Sequence, residues 1–289
     1  MAFTTNLSGT AQVDSSLIQA YDQAFLVANA QTNVMDQLVE TRFDIGAKAI
    51  SFPKFSQLAL VTAPLSETED VASEALADEQ VILTPKEYGK VVTTTQLASL
   101  QTGGTVDLAA ARLVGTNMAR SKDALAIQAL SASVNVIGDG LSNITGATLN
   151  TFYNKLARTN VEAAAGGEYV MVAHDDVIAD LREETGSGSW IDVVKYATPD
   201  TALKNEVGMY KGFRVIRNNH AAADAGVYNV YFMGANALGL AVSKEAGMVA
   251  TGPFDKLARF VNLGWYGVFS YGIVDADAVW VGKHKSSKA

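Results

Sequence analysis

From Phe55 through Pro85 the chain has no lysine or arginine, yet residues 64–80, PLSETEDVASEALADEQ, hold six carboxylates: Glu67, Glu69, Asp70, Glu74, Asp78 and Glu79. Strand-like sequence flanks this stretch on both sides. Upstream, Ile50 and Phe52 alternate with Ser51 before Pro53, and downstream the β-rich run VILTPKEYGKVVTTTQL begins at Val81. The two runs are expected to pair as a hairpin, although about 25 residues join them where an ordinary hairpin uses about two to five. A connection that long, acidic and weakly apolar, has little core of its own. Its order has to come from outside, and the expectation is an arm that finds its partner on another copy of the chain. The six carboxylates, with Lys86 and Lys90 on the descending run, are therefore candidates for contact between copies.

A second constraint follows directly. Residues 105–133, TVDLAAARLVGTNMARSKDALAIQALSAS, read as one helix with Thr105 as N-cap and Asp107 in the first turn, where the helix dipole favours an acid. Its expected apolar stripe is Val106, Ala110, Leu113, Val114, Met118, Leu125 and Leu130. At 1.5 Å per residue, roughly 28 residues span about 40 Å, which suits a structural spine. Ahead of the flap, residues 1–13 are polar and small and read as an arm. Asp14 or Ser15 is expected to cap a helix bearing Leu17, Ile18, Tyr21, Phe25 and Ala28 and continuing toward Met35 and Leu38. Residues 134–147, VNVIGDGLSNITGA, carry three glycines and read as a hinge between two halves. The second half mixes a helix at Leu149 to Arg158, the strand EYVMVA, the helix DDVIADLREETG ending at Gly186, and strands around GMYKGFRVIRN, VYNVYFM and GWYGVFSYGIV. No regular βαβ alternation runs through these elements, so the fold class is α+β.

Composition removes several functions. At 289 residues and 48% hydrophobic, the chain has material for one large domain or two small ones. It has no cysteine, which excludes disulfides and thiolate metal sites and leaves packing or association to supply stability. A net charge of −8 has the wrong sign for gripping phosphates through a basic face. The first basic residue is Arg42, and apolar stretches such as LALVTAPL fall far short of a bilayer span, so a soluble chain outside the general export route is expected.

Each catalytic or metal candidate has a plainer reading. His174, His220 and His284 show no metal-ligand spacing, GSGSW at 186–190 is not a nucleophile elbow, and Leu240 stands where a phosphate-binding loop needs lysine. Asp175, Asp176, Asp180, Glu183 and Glu184 have helical spacing that places two of them at a helix start, a plainer reading than a cation site, and the terminal KHKSSKA reads as a solvated end. No catalytic residue, metal or cofactor is assigned.

The order of parts resembles the major capsid proteins of tailed double-stranded DNA bacteriophages. TPKEYGKVVTTTQLASL is similar to the segment where the family's flap descends into the spine, and VMVAHDDVIADLRE resembles a strand entering a helix of its axial domain. GMYKGFRVIRNN resembles the family's glycine-aromatic-glycine turn, and WYGVFSYGIVDADAVWV its closing strands. The resemblance implies an N-terminal arm and helix (1–44), an extended β-hairpin flap or E-loop (45–97), a peripheral domain with the spine helix (98–147), an axial domain (148–255), and closing strands returning to the peripheral domain with a tail (256–289). It implies pentamers and hexamers of an icosahedral shell assembled in the host cytoplasm, enclosing viral DNA without sequence-specific binding or any membrane. It also implies a portal, a decoration protein in some relatives, and a separate scaffolding protein, since only about 13 residues precede the first helix. Some relatives crosslink a flap lysine to a neighbour; Lys54, Lys86 and Lys90 lie in or near the flap, but nothing identifies the other participants and no crosslink is expected.

Three rivals stand beside this reading. An encapsulin-like bacterial compartment shares the architecture. A hydrolase is disfavoured by the absence of any nucleophile, base and orienter set. For a tail or adhesion protein the spine helix is unexpected.

Overall fold

A computed structural model describes residues 23–28, 33–46, 48–55, 78–164, 167–184, 190, 206–221, 226–252, 257 and 259–288, with short runs between 58 and 76. The arm at 1–13, the cap at Asp14 or Ser15 and the helix end at Gly186 lie outside these residues. Among them the strands form three sheets, and the fold is α+β as expected.

The first sheet runs in the order β1 (Glu40–Phe43), β10 (Leu238–Thr251), β11 (Phe260–Ile273) and β4 (Lys86–Thr95). β11 alternates from Trp265 onward, and Leu263, Trp265, Phe269 and Tyr271 are buried on one face. The spine helix α2 (Thr105–Ser131) packs on that face through Val114 and Met118, and the Trp265 indole N–H donates to Asn117 Oδ1 at 3.0 Å. A tryptophan buried this way needs such a partner for its polar atom. Before the spine comes a short helix, α1 (Gln96–Gln101), where the sequence reading continued the strand. β10 was not expected either, because Lys244 and Glu245 interrupt its alternation; the register shifts between Val242 and Gly247 show a bulge absorbing them.

The second sheet has the order β5 (Val136–Ile137), β12 (Val279–Lys285), β9 (Val227–Met233), β6 (Tyr169–Ala173), β8 (Phe213–Arg217) and β7 (Glu206–Tyr210). Every residue of β6, YVMVA, is buried. Tyr169, Met171 and Ala173 pack with α3 (Gly146–Arg158) and α4 (Asp175–Glu183), while Val170 and Val172 join the core that contains Ile127 and Leu130 of the spine. A run apolar at every position is what burial on both faces demands. Lys211 and Gly212, at φ 48° and 82°, make the two-residue turn between β7 and β8. The closing strands divide between the sheets: β11 stays with β10 and the spine, whereas β12 crosses to pair with β9 and β5.

Three local expectations need correcting. The spine is capped by Gly104 in the left-handed region, and the Thr105 hydroxyl donates backward to the Thr102 carbonyl. Within the expected stripe, Ala110, Val114, Met118 and Leu130 are buried but Leu113 is 69% exposed. The buried face instead includes Ala111, Gly115, Ala119 and Asp123, because the helix is packed from two directions. The terminal KHKSSKA is no solvated end: His284 is buried in β12, the Ser287 N–H donates to Asp180 at 3.0 Å, and Lys288 pairs with Glu183 at 2.8 Å.

The second packing direction comes from the chain's beginning. Residues 23–28 are helical and cross the spine at Gly115, where an added Cβ would stand 2.6 Å from the Phe25 carbonyl oxygen. Residues 33–38 are then held by a buried polar knot. Asp123, 4% exposed, accepts the N–H groups of Val34 and Met35 at 2.9 to 3.3 Å. Next to it Asp36 accepts the Tyr271 hydroxyl and the Lys122 ammonium, so spine, β11 and N-terminal segment meet in one cluster. Burial raises the Asp123 carboxyl from 3.8 to about 6 against the opposing effect of the two N–H donors.

Two outcomes follow. Gly115→Val forces helix 23–28 off the spine and lowers unfolding stability by about 1–3 kcal/mol in urea titration. Because Asp123 holds its proton more tightly folded than unfolded, its contribution is complete below pH 4 and lost as pH rises through about 6. The stability difference between wild type and Asp123→Asn, measured by urea unfolding, therefore shifts in favour of wild type by on the order of 3 kcal/mol between pH 7 and pH 4.

Candidate assembly interface

The flap begins at the third sheet. β2 (Ile50–Phe55) pairs antiparallel with β3 (Asp78–Leu83) in the register Ile50↔Leu83 through Phe55↔Asp78. Proline 53 sits in β2 opposite Gln80, within a two-stranded sheet that has two outer edges. Two alternate residues, Ile50 and Phe52, turn inward and are buried with Ala241 of β10 and Val274. Phe52 is completely buried, and the Arg42 guanidinium lies over its ring at 5.1 Å from the centroid. Lys54 donates to Asp275 at 2.7 Å, and that bond holds its ammonium pKa above the usual lysine range. The root of the flap is thus nailed to the four-stranded sheet by one aromatic plug and one ion pair.

Beyond the root the situation reverses. Every described residue from 58 through 80 is exposed. Leu58, Leu60, Val61, Leu65, Val71 and Leu76 stand 58 to 91% exposed, far more apolar surface than isolated surface hydrophobics account for. Of the candidate acids, Glu67 and Glu69 lie outside the described residues. Asp70 and Glu74 are exposed, with Asp70 accepting the N–H of Val71 at 2.8 Å. Asp78 and Glu79 lie on β3, where Glu79 faces Lys54 across the hairpin. Among the described acids Glu79 therefore lies opposite a lysine of its own chain, which the sequence reading did not anticipate.

Lys86 and Lys90 are exposed on β4, whose ten residues form an edge of the four-stranded sheet. A strand that long at an edge presents unpaired backbone groups, and Lys86, Glu87 and Lys90 are the kind of charges that keep such an edge from pairing indiscriminately. At its far end, α1 has no buried residue; Leu97 and Leu100 are 66 and 73% exposed. The Ser99 hydroxyl donates to Asp107 at 2.6 Å and fixes α1 against the spine's first turn. Sequence reasoning did not single out this outward face. The i, i+3 leucine spacing in QLASLQ was its available signal, masked by the preceding threonine run.

The acids of α4 are occupied within the chain. Asp175 lies 3.6 Å from Arg217, the Tyr228 hydroxyl donates to Asp176 at 2.6 Å, and the Gly146 N–H donates to Glu184 at 2.9 Å. Among the described residues no group of three His, Asp or Glu is placed to hold a metal ion, and no helix is long and apolar enough to cross a membrane.

No protein-family model and no curated protein matches the chain. Solved structures do. The capsid of Ralstonia phage GP4 superposes with a TM-score of 0.69 at 12% identity, covering 86% of this chain and 87% of that one. The head of Helicobacter pylori bacteriophage KHP40 gives 0.66 at 11%, covering 89% and 91%. A virus-like particle from Pyrococcus furiosus gives 0.62 at 14%, covering 91% and 98%. The chain has the tailed-phage capsid fold. Here the two larger sheets and the spine form the body, and among the described residues the ribbon from 58 through 80 is exposed throughout.

Removing the aromatic plug tests whether the root is what holds the flap. Phe52→Ala costs about 3–5 kcal/mol by urea unfolding. Limited proteolysis of the same variant is expected to cleave within residues 56–77 faster than in wild type.

Proposed function

We propose that the protein is the major coat subunit of an icosahedral shell that encloses double-stranded viral DNA, with pentamers and hexamers as its capsomers. The observation that carries this reading is the flap: rooted by Phe52 and Lys54, exposed along every described residue from 58 through 80, and joined to a body with the capsid fold. A subunit bearing such a surface is completed by neighbours, and many weak contacts in a closed assembly add up where one would not hold. The role is structural rather than catalytic. A portal, a separate scaffolding protein and a decoration protein complete the proposed set of partners, with assembly in the host cytoplasm.

Residues 1–44 serve as arm and helix, 45–97 as flap, and 98–147 as peripheral domain. The axial domain takes residues 148–255, and residues 256–289 form the closing strands that return to the peripheral domain, with the C-terminal tail. The six flap carboxylates, Lys86 and Lys90 belong to the surface between subunits. A compartment shell of the same fold is the second reading, beside likenesses that include phage capsids and a virus-like particle.

Deleting residues 60–78 is expected to leave a soluble subunit with wild-type circular dichroism that builds no shells by negative-stain microscopy. Normal particles from this deletion would remove the flap from assembly.

A further inference from the structure

The short 3-10 turn Met35–Leu38 is supported from far along the chain. Val34, its capping residue, has no side-chain acceptor to offer, and the N–H groups of Val34 and Met35 are received by Asp123 of the spine at 2.9 to 3.3 Å. The Asp36 N–H goes to Asn33 at 3.3 Å. The polar hold on residues 33–38 from the rest of the body is thus one buried carboxylate together with the contacts of Asp36 to Lys122 and Tyr271.

This knot holds two carboxylates and one ammonium, so with both acids ionised it carries one negative charge in excess. Lys122 pairs with Asp36 and is the weakest of the influences on Asp123, which is 4% exposed. Burial opposes ionisation of Asp123 and raises its carboxyl to about 6, with Asp36 pushing the same way. Oδ2, whose contact with Val34 is the longer at 3.3 Å, can carry a proton while Oδ1 still accepts from both N–H groups. Solvent reaches the knot from two sides. Asp36 and Lys122 line an open cleft of about 150 Å³ with Phe43 and Glu245, and Tyr271 lines another of about 210 Å³ with Lys86 and Gln128. Glu245 and Lys86, the charged groups that β10 and β4 bring to these walls, are exposed and screened by water.

β1 begins two residues after this turn. Its Arg42 lies over the Phe52 ring and donates to the Ser51 carbonyl at 3.4 Å, so the strand touches the root of the flap at two points.

We propose that Asp123, Asp36, Lys122 and Tyr271 form a proton-operated clasp: with one proton added the knot fastens residues 33–38 to the spine, and without it the segment slackens and passes the change through β1 to the root of the flap. This goes beyond the shell reading and does not depend on it. A detached segment returns Asp123 to water and to its ordinary value of 3.8, so the docked state binds the proton more tightly. Docking is fully supported below about pH 4, weakens about tenfold per pH unit up to about 6, and is level above that.

Deuterium exchange of the full chain from pH 4 to pH 8 tests the clasp, with rates corrected for the intrinsic pH dependence of exchange and with β9 as the reference for global opening. Protection of the Val34 and Met35 amides is expected to fall about 100-fold between pH 4 and pH 6 and then stay level, with the amides of β2 following in the same direction. In Asp123→Asn the fall is expected to vanish. In Arg42→Ala it is expected to persist at residues 33–38 and disappear from β2. Protection at 33–38 that stays constant or rises from pH 4 to pH 6 overturns the clasp, and wild type alone decides this even where a variant fails to fold. A fall that survives Asp123→Asn overturns it as well. A fall at 33–38 that β2 does not share, or that the two still share in Arg42→Ala, overturns the passage to the flap. All these outcomes are read on the subunit, so each leaves the shell reading where it stood.

Discussion

The contact between the spine helix and the inner face of β11 holds the molecule together. Leu263, Trp265, Phe269 and Tyr271 present one continuous wall, and the spine lies against it with Val114 and Met118, Asn117 holding the indole N–H. From there the same helix continues into the core beneath the six-stranded sheet through Ala126, Ile127 and Leu130. A single rigid rod thus spans both sheets, and it replaces what disulfides would otherwise provide in a cysteine-free chain. The N-terminal segment depends on it too, since Gly115 receives residues 23–28 and Asp123 receives Val34 and Met35. Their chemistry differs. Gly115 permits close backbone approach, whereas Asp123 is a buried acid whose burial opposes ionisation even as two N–H groups favour it.

The flap inherits its position from the same wall. β10 pairs with β11, and the plug formed by Ile50 and Phe52 sits on Ala241 of β10 and on Val274 just past β11. Rooting is strong because Phe52 is wholly buried, with burial worth about 1.5–3 kcal/mol for a side chain of this kind. Past Lys54 no such burial exists in the described residues. The contrast between a fixed base and an uncovered ribbon is what makes the element an arm rather than a loop. Its acids also have a protective side: a hydrophobic edge without charge pairs with any similar edge, and like charges on every copy oppose flap-to-flap association.

How much of this was legible follows from where the information lies. The spine was readable because its pattern is local and long, and β9 because VYNVYFM is an uninterrupted β-rich run. The flap hairpin was readable only in part: β2 pairs with β3 (Asp78–Leu83), which starts within the acidic stretch, whereas the rest of the run expected to continue it, Lys86–Thr95, leaves to pair with β11 in the four-stranded sheet. β10 was not, because Lys244 and Glu245 disguise a bulged strand as a break. The exposure of Leu113 escaped as well. A stripe drawn on a helical wheel assumes one packing partner, and this helix has two whose directions differ along its length. The fastening of Ser287 and Lys288 to α4, like the knot of Asp36, Lys122, Asp123 and Tyr271, joins residues over a hundred positions apart or on separate elements, and no local pattern announces such pairs.

The charge distribution carries one last consequence. Copies with net charge −8 repel one another, and at physiological ionic strength that repulsion is screened beyond about 8 Å. Contacts at van der Waals distance are screened less, so local complementarity survives under conditions where the global field has largely faded. Long-range repulsion thus discourages indiscriminate clustering, while burial of the ribbon's apolar residues is gained only at short range. Were the acids spread evenly over the surface, the same net charge would oppose every contact alike. Six of the thirty acids are instead gathered on the ribbon between Glu67 and Glu79, so contacts made elsewhere on the surface meet less of that repulsion.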